Sequence, residues 1–193
     1  MSSKNKNILL GVTASIAAYK ACDLITDLRK AGYEVTVAMT KDAHHFITPL
    51  SLQSFSGRDV VEDFFSLPGR VKPVHIELAK NSDLILIAPA TADVIAKLAH
   101  GIADDVLTCT VLASTAPVVI VPAMNEKMYE NVFTQENIQR LKKVGMTFVP
   151  PIEGHLVCSD HGMGHLAENK TILKVVASKL FRQRRTRLGR AQE

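Results

Sequence analysis

Apolar and polar positions alternate between two periods along the chain. Asn7–Val12 is a short, nearly continuous apolar run, as expected of a strand buried on both faces. Ser15–Ala31 changes to helical spacing and should end at Gly32. Tyr33–Met39 alternates β-branched residues and reads as a second strand. Helical or irregular segments follow, through Thr48 and Pro49 to Gly57. Asp83–Ala88 is a third apolar strand, which Pro89 is expected to end. Ala92–Ala99 and Asp104–Ala113 read as helices, and Pro117–Val121 as a fourth strand stopped by Pro122. Helical spacing over Thr134–Val144 ends at Gly145, and Met146–Val149 reads as a last short strand. From there to about Leu166 the chain reads as a loop rich in glycine and histidine, before a C-terminal helix.

Apolar strands that alternate with helices imply a parallel sheet covered on both sides. Right-handed crossovers then make a doubly wound, Rossmann-like α/β sandwich of three layers, with five or six parallel strands. The 193 residues suffice for one buried core, with 47% apolar and 22% charged residues. That balance excludes disorder over most of the chain. No apolar run reaches the roughly 18 residues of a membrane span. The polar start, Met1–Lys6, does not read as a secretory signal. Cys22, Cys109 and Cys158 form no disulfide framework, so a reducing cytoplasm is expected. The net charge of +4 belongs to the C-terminus: residues 179–193 hold six cations and one anion. The domain is therefore expected to occupy residues 1–178, with a basic tail over 179–193. The tail has one aromatic, Phe181, too few to stack bases, so neither a nucleic acid nor a membrane partner is expected.

Ligands of doubly wound domains bind at the carboxyl ends of the strands. The first such end, Gly11–Ile16 (GVTASI), could offer amides and hydroxyls to a phosphate, or could be an ordinary helix cap at Ser15 or Thr13. It is neither a dinucleotide fingerprint nor a Walker loop, so a small phosphate monoester such as a mononucleotide flavin suits it better. Thr40 ends the second strand and could add a hydroxyl or cap a helix. Ala88–Asp93 (APATAD) follows the third strand, with residues small enough for a flat ligand to approach the backbone. After the fourth strand, Met124 and Met128 have core spacing, whereas the amide of Asn125 needs polar partners. His75 stands at a helix start that can face the ligand edge. Cys158 differs from the two core-like cysteines because it lies in a polar, glycine-punctuated loop, as on a mobile lid with a reactive thiol. His155, His161 and His165 make zinc the competing reading, but one thiol with three imidazoles is an uncommon set and no metal is expected.

Taken in order, GVTASIAAYK (residues 11–20), HIEL (75–78), APATAD (88–93), GIADDVLT (101–108), PAMNEKM (122–128) and GHLVCSDHGMGHLAE (154–168) resemble the homo-oligomeric flavin-containing cysteine decarboxylases. The resemblance runs from about Asn7 to Val175. It implies FMN at a subunit interface of a homotrimer or higher oligomer. Ser15 and Thr40 would hold its phosphate, and Ala14, Ile16, Thr91, Ala92, Asp93, Val94 and Ala123 would line its site. His75 would be the active-site histidine, Asn125 would hold the substrate carboxylate beside Met128, and Cys158 would protonate the intermediate. The thiol-bearing loop implies the branch that converts 4′-phosphopantothenoylcysteine to 4′-phosphopantetheine in coenzyme A biosynthesis. A decarboxylase of C-terminal peptidyl cysteine and a non-catalytic FMN-binding regulatory subunit are the alternatives. The ligase-type domain that many bacterial relatives fuse here is not in these 193 residues, which implies a separate ligase protein.

Overall fold

The computed structural model describes residues 5–64, 73–156 and 159–190, with the backbone alone for 155–156, 159–161 and 183–190. Five parallel strands form the central sheet: β1 (Asn7–Val12), β2 (Glu34–Met39), β3 (Leu84–Ala90), β4 (Val118–Pro122) and β5 (Thr147–Phe148), in the spatial order β2-β1-β3-β4-β5. The helices are α1 (Ala21–Lys30), α2 (Pro49–Ser56), α3 (Val74–Asn81), α4 (Ala92–His100), α5 (Val106–Ala113), α6 (Glu126–Glu130), α7 (Val132–Lys143) and α8 (Asn169–Arg190).

Two apolar layers explain the continuous strands. Ile8, Leu10, Leu84, Leu86, Val119 and Val121 point to one layer, where they meet Leu24, Leu28, Ile172 and Val176 of α1 and α8. Leu9, Ile85, Ile87 and Ile120 point to the other, against Ile95, Leu107, Val111, Ile138 and Leu141 of α4, α5 and α7. With both faces covered, no polar alternation survives in β1, β3 or β4.

Three local expectations are corrected. Residues 15–31 are not one α-helix: Ser15 caps a 3-10 turn, Ile16–Lys20, which runs into α1. Helical spacing cannot separate these, because a tight first turn keeps the same buried face. Pro89 does not end β3, which continues to Ala90. The β3–β4 register shifts between Ile87 and Ala90, and at such an irregularity the missing N–H of proline breaks no regular ladder. Most described residues of the expected 150–166 loop are strand: β6 (Ile152–Leu156) and β7 (Ser159–His165) pair antiparallel as a hairpin. Its glycines and shifted register hide the strand period. Elsewhere the punctuation holds, with Gly32 and Gly145 at φ 86° and 94° just past α1 and α7.

The backbone of α8 crosses residues 178–179 without a break. Ile172, Val176 and Leu180 are buried, and Phe181 is exposed. Truncation after Phe181 should therefore shift stability by less than about 0.5 kcal/mol in urea titrations and leave flavin binding intact. No helix among the described residues is long and apolar enough to cross a membrane.

Candidate functional site

Strands β1 and β3 are neighbours in space, and the chain turns to opposite sides after them. A crevice at the carboxyl edge follows from that topology. A cavity of about 490 Å³ lies there. Its walls are Ala14–Ala17, Tyr19 and Lys20 after β1, Thr91 and Ala92 after β3, Ala123–Asn125 and Met128 after β4, and Gly164–Leu166 at the end of the hairpin.

Hydrogen bonds hold the three strand ends together. The buried Thr13 donates Oγ1–H to the Pro89 carbonyl at 2.8 Å and accepts the Thr91 N–H at 3.0 Å. Ser15 donates Oγ–H to the Ala123 carbonyl at 3.1 Å and accepts the Ala17 N–H. The Ala123 N–H meets the Ala90 carbonyl at 3.1 Å. Thr91 caps α4 by accepting the Val94 N–H. The sequence named Thr13 only as a possible cap or phosphate hydroxyl. Only the fold reveals that it clamps β1 to β3. Thr13→Val should leave the buried Pro89 carbonyl and the half-buried Thr91 N–H without this partner, lowering stability by about 1–3 kcal/mol in urea titrations.

The cavity brings together Ala14, Ser15, Ile16, Thr91, Ala92, Ala123, Asn125 and Met128. Asn125 caps α6, and its Oδ1 accepts the Lys127 N–H at 3.0 Å. That bond fixes which end of the amide donates: Nδ2, with two hydrogens, suits a carboxylate. Met124 and Met128 both line the cavity, but Met124 also packs partly buried against the core, whereas Met128 is 50% exposed.

Thr40, His75, Asp93 and Val94 are not in the cavity wall. Thr40 precedes a 3-10 turn, Lys41–His45, without a side-chain cap, so its hydroxyl is not used that way. Val94 is buried, and the Asp93 carboxylate lies 3.3 Å from Lys97, which also pairs with Asp104. His75, at the start of α3, has a buried Nδ1 with no hydrogen-bond partner among the described residues and an edge-to-face contact with Phe64 at 5.5 Å. Cys158 and the side chains of His155 and His161 lie outside the described residues, as does the zinc grouping built on them.

Burial pushes the Cys22 thiol pKa up, and Asp23 adds to the effect. Burial also raises Cys109, helped by Asp105 and Asp104. Raised values mean less thiolate at neutral pH. Iodoacetamide at pH 7 should therefore label both more slowly than a free thiol, as peptide mass mapping can follow.

The cavity volume falls within the range of small-molecule sites. Among the described residues its lining contains no carboxylate, and Lys20 and His165 are its basic side chains. A flat, anionic mononucleotide flavin fits that donor set. The Flavoprotein family model matches residues 1–181. The coenzyme A biosynthesis bifunctional protein CoaBC of Vibrio vulnificus is 51% identical over 163 residues, covering 84% of this chain and 41% of its own. That of Escherichia coli is 43% identical over 178 residues, covering 92% and 44%. The chain thus spans less than half the length of these relatives. Among solved structures, a cysteine-to-serine variant of PPC decarboxylase with pantothenoylaminoethenethiol matches at TM-score 0.80 and 33% identity, over 90% of this chain and 97% of that one. The FMN-dependent cysteine decarboxylase SpaF matches at TM-score 0.82 and 33% identity, over 92% and 96%. Fold, crevice and matched length agree: the chain belongs to the Flavoprotein family and, within it, to the flavin-dependent cysteine decarboxylases.

Proposed function

We propose that the protein decarboxylates 4′-phosphopantothenoylcysteine to 4′-phosphopantetheine, with FMN, in coenzyme A biosynthesis. One observation carries this reading: the ends of β1, β3 and β4 bring Ser15, Thr91, Ala123, Asn125 and Met128 to one cavity with no carboxylate among its described lining residues. The relatives named for coenzyme A biosynthesis support the substrate class. So does the enethiol bound to the PPC decarboxylase variant, which is the expected product before its last reduction.

Ser15, with Thr40, holds the flavin phosphate. Ala14, Ile16, Thr91, Ala92 and Ala123 would line its site, with Asp93 and Val94 supporting that wall from behind Thr91 and Ala92. When bound, FMN supplies a reversible two-electron sink for the Cα/Cβ–S unit of the cysteinyl group. Asn125 binds the carboxylate through Nδ2 and aims it for loss of CO₂, with Met128 beside it. The apolar surround keeps water from the departing carboxylate. His75 moves a proton at the reacting thiol, and Cys158 delivers the proton that completes the saturated product. A cytoplasmic location suits the free thiols. The preceding ligation belongs to a ligase region outside these 193 residues.

A homotrimer or higher oligomer completes the site. His75 stands outside the cavity wall, while Ile16 (55% exposed), Tyr19 (58%) and Met128 (50%) leave an apolar rim for another copy. Mixing His75→Asn with Asn125→Ala protein after mild dissociation should therefore restore part of the activity that each lacks alone. Two inactive proteins that stay inactive in mixed oligomers would place both groups in one subunit's site.

The reading as a whole is tested by spectrum and turnover. The purified protein should show an oxidised flavin spectrum and convert 4′-phosphopantothenoylcysteine. Turnover of a Cys-terminated peptide alone would favour the peptidyl-cysteine reading. Flavin binding without any turnover would favour the regulatory one.

A further inference from the structure

Glu126 lies beside Asn125, yet its carboxylate serves a different element. Oε1 accepts the backbone N–H of Met163 in β7 at 2.8 Å. Gly162, the preceding residue, is buried and faces the same carboxylate. A Cβ built on Gly162 would lie 2.8–2.9 Å from Oε2, Cδ and Oε1 of Glu126, closer than real Cβ atoms approach. A side chain at this position would push the carboxylate aside, so the glycine leaves room for it against the strand. One further bond joins the same two segments, from the Met124 N–H to the Gly164 carbonyl at 3.2 Å. Beyond this clasp the chain enters Gly164, His165 and Leu166, all in the cavity wall.

From this geometry we infer that Glu126 is a positioning residue: it clasps the hairpin to the Asn125 segment and so sets the cavity wall facing the first strand end. The inference rests on the functional reading above only for the ligand that fills the cavity. A carboxylate is a strong acceptor for a backbone N–H, because the charge strengthens the bond. A glutamine keeps an oxygen acceptor at the same reach, whereas alanine keeps none. The contact has two halves, the acceptor on α6 and the absent side chain on β7, and either half can be removed separately.

The test uses flavin-loaded, full-length Glu126→Ala, Glu126→Gln and Gly162→Ala proteins. Hydrogen exchange is read by mass spectrometry on peptides covering residues 159–166. Glu126→Ala should lose about 10- to 100-fold of the protection there, the scale of a lost charge-assisted bond. Glu126→Gln should stay within about threefold of the parent, since one neutral bond replaces one charged bond. Gly162→Ala should loosen the same peptides, and the double Ala variant should be no looser than the worse single one, because both remove one contact. The KM for the cysteine substrate should rise together with the rate of FMN release in Glu126→Ala, and both should recover in Glu126→Gln. Unchanged exchange in Glu126→Ala would overturn the clasp. Loosened exchange with unchanged KM and FMN release would overturn its positioning role. If the parent itself neither binds flavin nor turns over substrate, the functional reading fails, and the exchange measurements still decide whether the clasp exists.

Discussion

Purified His75→Asn protein is expected to fold, bind flavin and lose at least about 100-fold in turnover, the lower end of what a positioned proton-transfer group supplies. The ring stands at the start of α3 with Nδ1 buried and unpartnered among the described residues, its edge set against Phe64. A buried imidazole nitrogen without a partner costs stability, and groups that cost stability and persist tend to serve chemistry. Asparagine retains a polar atom near the Nδ1 position but no group that exchanges a proton near neutral pH. Folding is therefore preserved while proton movement stops. Near-full turnover with an unchanged flavin spectrum would make His75 a structural residue and remove the proton transfer assigned to it.

The second large effect concerns Cys158→Ser. A serine hydroxyl is a far weaker acid than a thiol with a pKa of about 8.5, so the last protonation should fail while earlier steps survive. The variant should bind FMN, consume substrate and release CO₂. It should then accumulate a product two hydrogens short of the normal one. Mass spectrometry of the product reads this directly. Loss of bound zinc with the substitution would instead support the histidine–cysteine metal set, and a normal product at a normal rate would remove Cys158 from the mechanism.

The architecture was legible because its signals are local. Continuous apolar runs in β1, β3 and β4 reflect burial on both faces, and that requires helices on both sides whatever the loops do. Gly32 and Gly145 marked helix ends because the left-handed backbone past a helix excludes most side chains. Candidate ligand residues could be sought at strand ends for a topological reason, and those of β1, β3 and β4 do meet at one cavity. The motif resemblance narrowed the chemistry further than periodicity did.

Other features depend on partners distant in sequence. Thr13 is an ordinary hydroxyl until β3 arrives 76 residues later and presents Pro89 and Thr91 to it. Pro89 reads as a stop until the irregular β3–β4 register accommodates it. The hairpin carries neither alternating apolar residues nor a two-residue glycine turn, and its second strand is fastened by Glu126 and Met124 from another segment. Local composition thus determined the strands of the central sheet and most of the helices, and it pointed to the strand-end edge where the cavity lies. Tertiary contact alone decided how the strand ends are clamped, that Met124 packs against the core as well as the cavity while Met128 is exposed there, and that His75 lies outside the wall that holds Asn125. Each of those depends on where a second chain segment lies, and no one-dimensional period encodes that.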